Sequence, residues 1–422
     1  MNPNLAAALN WIGIKKETAP LFFDYLQKAG YLDEGLIQKA IQYLHTEKTF
    51  DGFESSSADN IAKLLIDACK QDTETFLATF ASQLNPVDIL DLILFLQQTA
   101  FDRAYGQERN QLTEKPWMGI EANQDNFMRL QQSIGLVEEQ LPKRQHYDVI
   151  GIMGASYPRA ISRIAYFKAL MADFDAVFAI TGQRYLSKGL DGEETISNMA
   201  KKLSLELDCI TETQMLMELI NTECPAEAEK MHVIDSTPGE WHWRADTTQN
   251  AKDFAWTMSQ RIRESATRPV DGKYAILLIV EQPYSNRMAK QVQRALNEVA
   301  EQYNEAAQDA ICFVVEASGK ELPSMETLDE AARISRMTQC NSDLAAWIGE
   351  CYKDARTSIQ QHYPKLRAPE CLMYNSRDAY FQKSVTFIPP SKDSKAEVLP
   401  ETVVNDLSQL KPPTNTLNKM KK

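Results

Sequence analysis

Apolar and polar positions divide the chain into stretches with different periods. From residue 1 to about 140, apolar residues recur at three- and four-residue steps, as in ETAPLFFDYLQKAGYL, EGLIQKAIQYLH, DNIAKLLIDACKQ and TETFLATFASQL. That spacing predicts amphipathic helices. Asn85-Pro86 supplies a capping residue followed by proline at the first helical position, a helix start signal. The segment behind it, VDILDLILFLQQTAF, is apolar nearly all round and predicts a buried helix. A second long helix, NFMRLQQSIGLVEEQL, leads to Pro142.

Between residues 147 and 319 the period shortens. The runs YDVIGIM, AVFAIT, MHVID, YAILLIVE and ICFVVE each end in a small polar cluster, with amphipathic helical stretches between most of them. This alternation predicts βαβ units around a parallel sheet. Further on, SMETLDEAARISRMTQ and SDLAAWIGECYKDARTSIQQHY predict two more helices, and ECLMYN near 370 a short extra strand. From Pro389 onward, prolines sit among Ser, Lys, Thr and Asn, which predicts a mobile tail. The expected fold class is therefore α/β: a Rossmann-like parallel sheet domain with an all-helical N-terminal region and a helical C-terminal piece. The expected divisions are a helical domain over 1–140, the sheet domain with its C-terminal helices over 141–388, and the tail over 389–422.

Composition narrows the function classes. The formal net charge is −13 and no basic run interrupts it, so nucleic acid is not an expected partner. No stretch of about 18 apolar residues occurs, so no membrane span is expected. The start, MNPNLAAALNWIGIKKE, lacks a basic region ahead of its apolar residues, so no secretory signal is expected. Seven cysteines without a CxxC pair fit a reduced, cytoplasmic protein. The five histidines show no metal-ligand spacing, and no transition-metal site is expected.

In open parallel sheets ligands sit at the carboxyl ends of the strands, so candidate chemistry is sought in the polar clusters. GASYPRAISRIAYF follows the first strand. Gly154 and Ser156 form a tight turn before a helix start, where backbone N–H groups can face an anion. Arg159 and Arg163 share a face of that helix. The turn is not the dinucleotide fingerprint, because the second and third glycines are missing. Thr181 and Gly182 close the second strand, and a loop with Gly189 and Gly192 leads to a helix opened by Glu193 and Glu194. Those carboxylates suit the helix dipole; turned into the crevice, Glu193 would hold a hydroxyl or amine.

After the third strand, WHWRADTTQNAKDFAW places Thr247 and Asn250 at a helix start. Asp246 or Thr247 can cap that helix, while the Asn250 amide offers a donor and an acceptor to a ligand. Trp241 and Trp243, beside His242, are open to stacking or to packing. The fourth strand ends in Glu281-Gln282-Pro283, and Arg287 follows one short turn later, well placed to clamp phosphate or carboxylate.

This order of motifs resembles the widespread bacterial family typified by SanA, ElyC and YdcF. The matching elements are IMGAS, ITGQ, Glu193-Glu194, Thr247-Thr248-Gln249-Asn250-Ala251 and IVEQPYSNRM. Gln282-Pro283 and the spacing to Arg287 look most like the soluble YdcF branch. The resemblance covers roughly residues 147 to 300. Gln183 stands where the family has the second glycine of Ser-Gly-Gly, and Tyr284 where many relatives have histidine. The resemblance implies a Rossmann-like fold and binding of S-adenosylmethionine. The expected function is a soluble binder of a nucleotide-like ligand, with group transfer or hydrolysis as its chemistry. The alternative is a catalytically inactive scaffold, such as a bacterial effector delivered to a host cell. In that case the helical N-terminal region is where a protein partner would dock.

Overall fold

The computed structural model describes residues 1–29, 89–90, 93, 124–229, 231–237, 247–264, 272–306 and 312–362. They belong to two compact units, one built from residues 1–134 and 325–422 and the other from 135–324.

The second unit is an α/β fold with one five-stranded, all-parallel sheet. Its strands are β1 (His146–Met153), β2 (Asp173–Gly182), β3 (Met231–Ser236), β4 (Lys273–Ile279) and β5 (Cys312–Ser318). The spatial order is β3-β2-β1-β4-β5. The central strands are buried almost throughout. This is why they read as continuous apolar runs and not as alternating ones: a parallel sheet is covered on both faces.

Two separate cores lie on the two faces. On one, α4 (Tyr157–Lys168), α6 (Glu193–Leu203) and α7 (Glu212–Glu223) pack against Ile150, Ile152, Val177 and Leu277. The short α5 (Lys188–Asp191) precedes α6. On the other face, α9 (Thr247–Glu264) and α10 (Ser285–Ala306) pack against Phe178, Ile180, Ile234, Ile276 and Leu278. A short helix, α8 (Pro225–Ala228), lies between α7 and β3. The α/β, Rossmann-like class expected from the sequence is thus what the structure shows. The connection leaving β1 runs on one face and that leaving β4 on the other, so the crevice between their carboxyl ends is the switch point where such sheets take ligands. At the β5 edge, Gln293 of α10 imitates a neighbouring strand. Its Nε2 donates to the Phe313 carbonyl at 2.9 Å, and its Oε1 accepts the Val315 N–H at 2.9 Å.

The helical unit contains α1 (Pro3–Trp11), α2 (Ala19–Lys28), α3 (Gln124–Ser133) and the 33-residue α11 (Glu330–His362). The sequence predicts two helices where α11 runs unbroken. The polar stretch Asn341-Ser342-Asp343 suggests a break, yet all three residues are buried inside the helix. Tertiary partners hold them there: the Tyr25 hydroxyl bonds Asn341 Oδ1, and the nearby Trp347 indole N–H donates to the Ile12 carbonyl at 2.9 Å. So α11 clusters with the N-terminal helices, whereas the sequence reading joins it to the sheet. Ile89, Leu90 and Ile93 are buried and helical, as expected of their segment. The expected strand near 370 and the tail lie outside the described residues.

Candidate functional site

A group of charged side chains gathers at the carboxyl ends of β1 and β4. Arg159 opens α4, and its Nε lies 3.0 Å from Oε1 of Glu281, just past β4. Arg163, one turn on, is buried beneath it. Its Nη1 donates to the carbonyls of Met153 and Gly154, both at 2.7 Å, and its Nη2 lies 3.8 Å from Glu281. Burial pulls the Arg163 guanidinium below the ordinary arginine range, and the Glu281 carboxylate opposes that pull. The guanidinium carbons of Arg159 and Arg287 lie 5.0 and 5.7 Å from the Tyr284 ring centroid, within cation–π range. Arg287 also donates to Gln291 Oε1 at 3.3 Å. Two cationic groups from helices on opposite faces of the sheet thus meet one ring at the switch point.

The turn GASYP differs from the open anion cradle the sequence predicts. The Tyr157 N–H donates to Asp191 Oδ1 at 2.9 Å, Pro158 has no N–H, and the Arg159 and Ala160 N–H groups bond the Ser156 carbonyl at 3.0 and 2.8 Å. Ser156 precedes α4 without a side-chain capping bond. Asp191 is itself held by Arg184, Nη1 to Oδ2 at 2.9 Å and Nη2 to Oδ1 at 3.2 Å, and by the Ser187 N–H at 2.9 Å. Arg184 Nε donates to Glu212 Oε2 at 2.8 Å. Burial opposes the charge on Arg184, but its two carboxylate partners more than offset this and raise its pKa. Burial likewise pushes Asp191 up, while Arg184 and the two backbone N–H groups leave it below the usual carboxylate range. The other oxygen of Glu212 lies against Gly154, where a Cβ would meet it at 2.1 Å. Gly154 is therefore required by the close approach of a carboxylate.

Along β2 and β3 the polar groups face two ways. Thr181 is buried, its hydroxyl 2.5 Å from that of Thr213 and 3.2 Å from the Ile234 carbonyl. Thr213 donates to Asp235 at 2.6 Å. Gly182 ends β2 in register with Ser236, and its carbonyl accepts the Arg184 N–H at 2.7 Å. Thr247 and Asn250 lie in the first turn of α9.

The fold therefore brings Gly154, Ser156 and Arg287 to one crevice with Arg159, while Thr181 and Gly182 end the adjoining strand. Gln282 is present but engaged: its Nε2 donates to the Glu138 carbonyl at 2.7 Å, and its Oε1 accepts from Ser285 at 2.7 Å. Glu193 is turned to solvent, its side chain 71% exposed and paired with Lys188. Glu212 and Asp191 are the carboxylates that reach the β1 turn. Sequence reading missed both, although Thr211-Glu212-Thr213-Gln214 carries a capping-box pattern that fixes where α7 starts. Trp241, His242, Trp243 and Asp246 lie outside the described residues.

At the opposite end of the sheet, one ligand atom each from His146, Asp148 and Asp175 lies within 4.8 Å of the others. Spacing along the sequence gives no hint of this group, because adjacent strands assemble it. His146 and Asp175 are exposed, and Asp148 Oδ2 already accepts the Ala275 N–H at 2.6 Å. Among the described residues no helix is long and apolar enough to cross a membrane. Comparison with protein-family models, curated proteins and solved structures finds no match.

Proposed function

We propose that this protein binds an anionic, nucleotide-like small molecule in the crevice between the ends of β1 and β4. The observation that carries this reading is the approach of Arg159 and Arg287 to the Tyr284 ring from opposite faces of the sheet. Guanidinium forks suit phosphate or carboxylate, and the ring offers a surface on which a base can stack. S-adenosylmethionine, which the family resemblance names, fits through its carboxylate and adenosine. The crevice carboxylate Glu281 would face its amine or hydroxyl groups. Group transfer or hydrolysis on the bound ligand is the accompanying chemistry.

A second reading, a scaffold without ligand chemistry, draws on a different observation. The first-turn N–H of Tyr157 and the amide of Gln282 are engaged within the protein. Calorimetric titration of the full chain with S-adenosylmethionine and with mononucleotides tests the two. Micromolar binding that weakens on Arg287→Ala supports the first; no heat with any of these ligands supports the second.

A further inference from the structure

We propose that the β3 end of the same crevice reads a hydrogen-bond donor on the ligand through Ser236 and Asn250. The ligand class is then a nucleotide that presents an N–H or O–H donor away from its anionic group. This inference rests on the anion-binding reading above and adds a specificity to it.

The argument starts from two buried oxygens. Ser236 is 1% exposed and, among the described residues, its hydroxyl has no hydrogen-bond partner; Oδ1 of Asn250 is also buried without one among them. Native proteins pair nearly all such atoms, so each exception calls for a reason. Both sit at the ligand end of the sheet. Ser236 is the last residue of β3, in register with Gly182. Side chains alternate along a strand. Asp235 meets Thr213 of α7 on one face, so Ser236 shares the other face with Ile234. Ile234 packs in one core with Ala251, Phe254 and Ala255 of α9, the helix whose first turn holds Asn250. The two orphan oxygens thus belong to one corner, where β3 ends and α9 begins, on the face that also carries Arg287 in α10. Neighbouring strands stand about 4.8 Å apart, which puts the Ser236 corner roughly 10 Å from the end of β1. A mononucleotide spans that length.

The chemistry of the corner sets the polarity of what it takes. Carboxamide oxygen only accepts, and a serine hydroxyl can accept. The complementary ligand group is a neutral donor, supplied by a base amine or a sugar hydroxyl. Three probes separate these sources: adenosine 5′-monophosphate, purine riboside 5′-monophosphate, which lacks the amine, and 2′,3′-dideoxyadenosine 5′-monophosphate, which lacks the hydroxyls. In calorimetry on the full chain, the first is expected to bind about tenfold more tightly than one of the other two. Ser236→Ala and Asn250→Ala are expected to bind all three alike at the weaker affinity, while Asn250→Asp, which keeps the acceptor, retains the preference. Thermal melts of the same variants check that each is folded. Equal binding of the three probes by the native chain overturns this inference and leaves the anion reading standing, as does a preference that survives both alanine variants. No binding of any probe overturns both.

Discussion

Arg184 and the Arg159–Arg287 pair lie at the same end of the sheet, yet they stand in opposite states. Arg184 is 4% exposed and grips two carboxylates, Asp191 and Glu212, with three of its nitrogens. Arg159 and Arg287 are half-buried and rest near an aromatic ring. A buried guanidinium needs full pairing, because desolvation would otherwise outweigh its attractions. A half-buried one keeps part of its hydration and can exchange it for a ligand anion. Residue type and sheet position are thus shared, and burial separates a structural charge from one proposed to bind.

The largest effect follows from breaking the buried group. Arg184→Ala leaves Asp191 and Glu212 facing each other without a cation, and a lost partner in a buried pair costs about 3–5 kcal/mol. Urea denaturation should show a much lower midpoint or a chain that no longer folds. A midpoint shift below about 1 kcal/mol would mean that Arg184 is not buried in solution. Arg287→Ala should do the reverse. Removing a charge-assisted contact costs on the order of 1.5–3 kcal/mol of binding, roughly a tenfold to hundredfold loss of affinity. Its stability should stay within about 1 kcal/mol, as for other partly exposed charges. Native affinity in Arg287→Ala would remove it from the site.

Acid sharpens the same contrast. Asp191 is held below the usual carboxylate range despite its burial, through Arg184 and two backbone N–H groups. A depressed folded-state pKa contributes stability that is present above the unfolded value, about 3.9, and is lost as pH falls through the folded value. The native chain should therefore lose stability below about pH 4 more steeply than Asp191→Asn, whose side chain does not titrate. Denaturation midpoints between pH 3 and 6 measure the difference. Parallel slopes would show that Asp191 has an ordinary pKa in the folded chain.

The sheet was legible because its three central strands are nearly continuous apolar runs, each ending close to where the strand ends. Gly154 could be singled out from that alone, since it directly follows β1, whereas Arg287 lies past β4 in the first turn of α10 and needed the helix start as well. Less legible was anything set by contacts between distant segments. Arg184 meets a carboxylate 28 residues away, and the Tyr157 N–H meets one 34 residues away. No local pattern encodes those pairings. Gln282 shows the same limit: it follows a strand end, as a ligand residue would, yet its amide holds the loop at Glu138. Continuity of α11 through Asn341 and Asp343 was hidden for a related reason, because local propensity favours a cap there and tertiary partners override it.

The smallest expected effect separates two glutamates that sequence alone could not rank. Both open helices on the same face of the sheet, Glu193 at α6 and Glu212 at α7. Glu193 points outward, where its pairing with Lys188 holds its pKa below the usual range and solvent screens the pair. Glu212 is buried between Arg184 and Gly154, so its carboxylate both balances a buried cation and borders the turn below the crevice. Glu193→Gln should then leave ligand affinity and the denaturation midpoint unchanged, whereas Glu212→Gln should lower the midpoint and weaken binding together. Titration of both variants beside the native chain measures this. A loss of affinity confined to Glu193→Gln would return Glu193 to the crevice and show that the start of α6 turns inward when ligand is present.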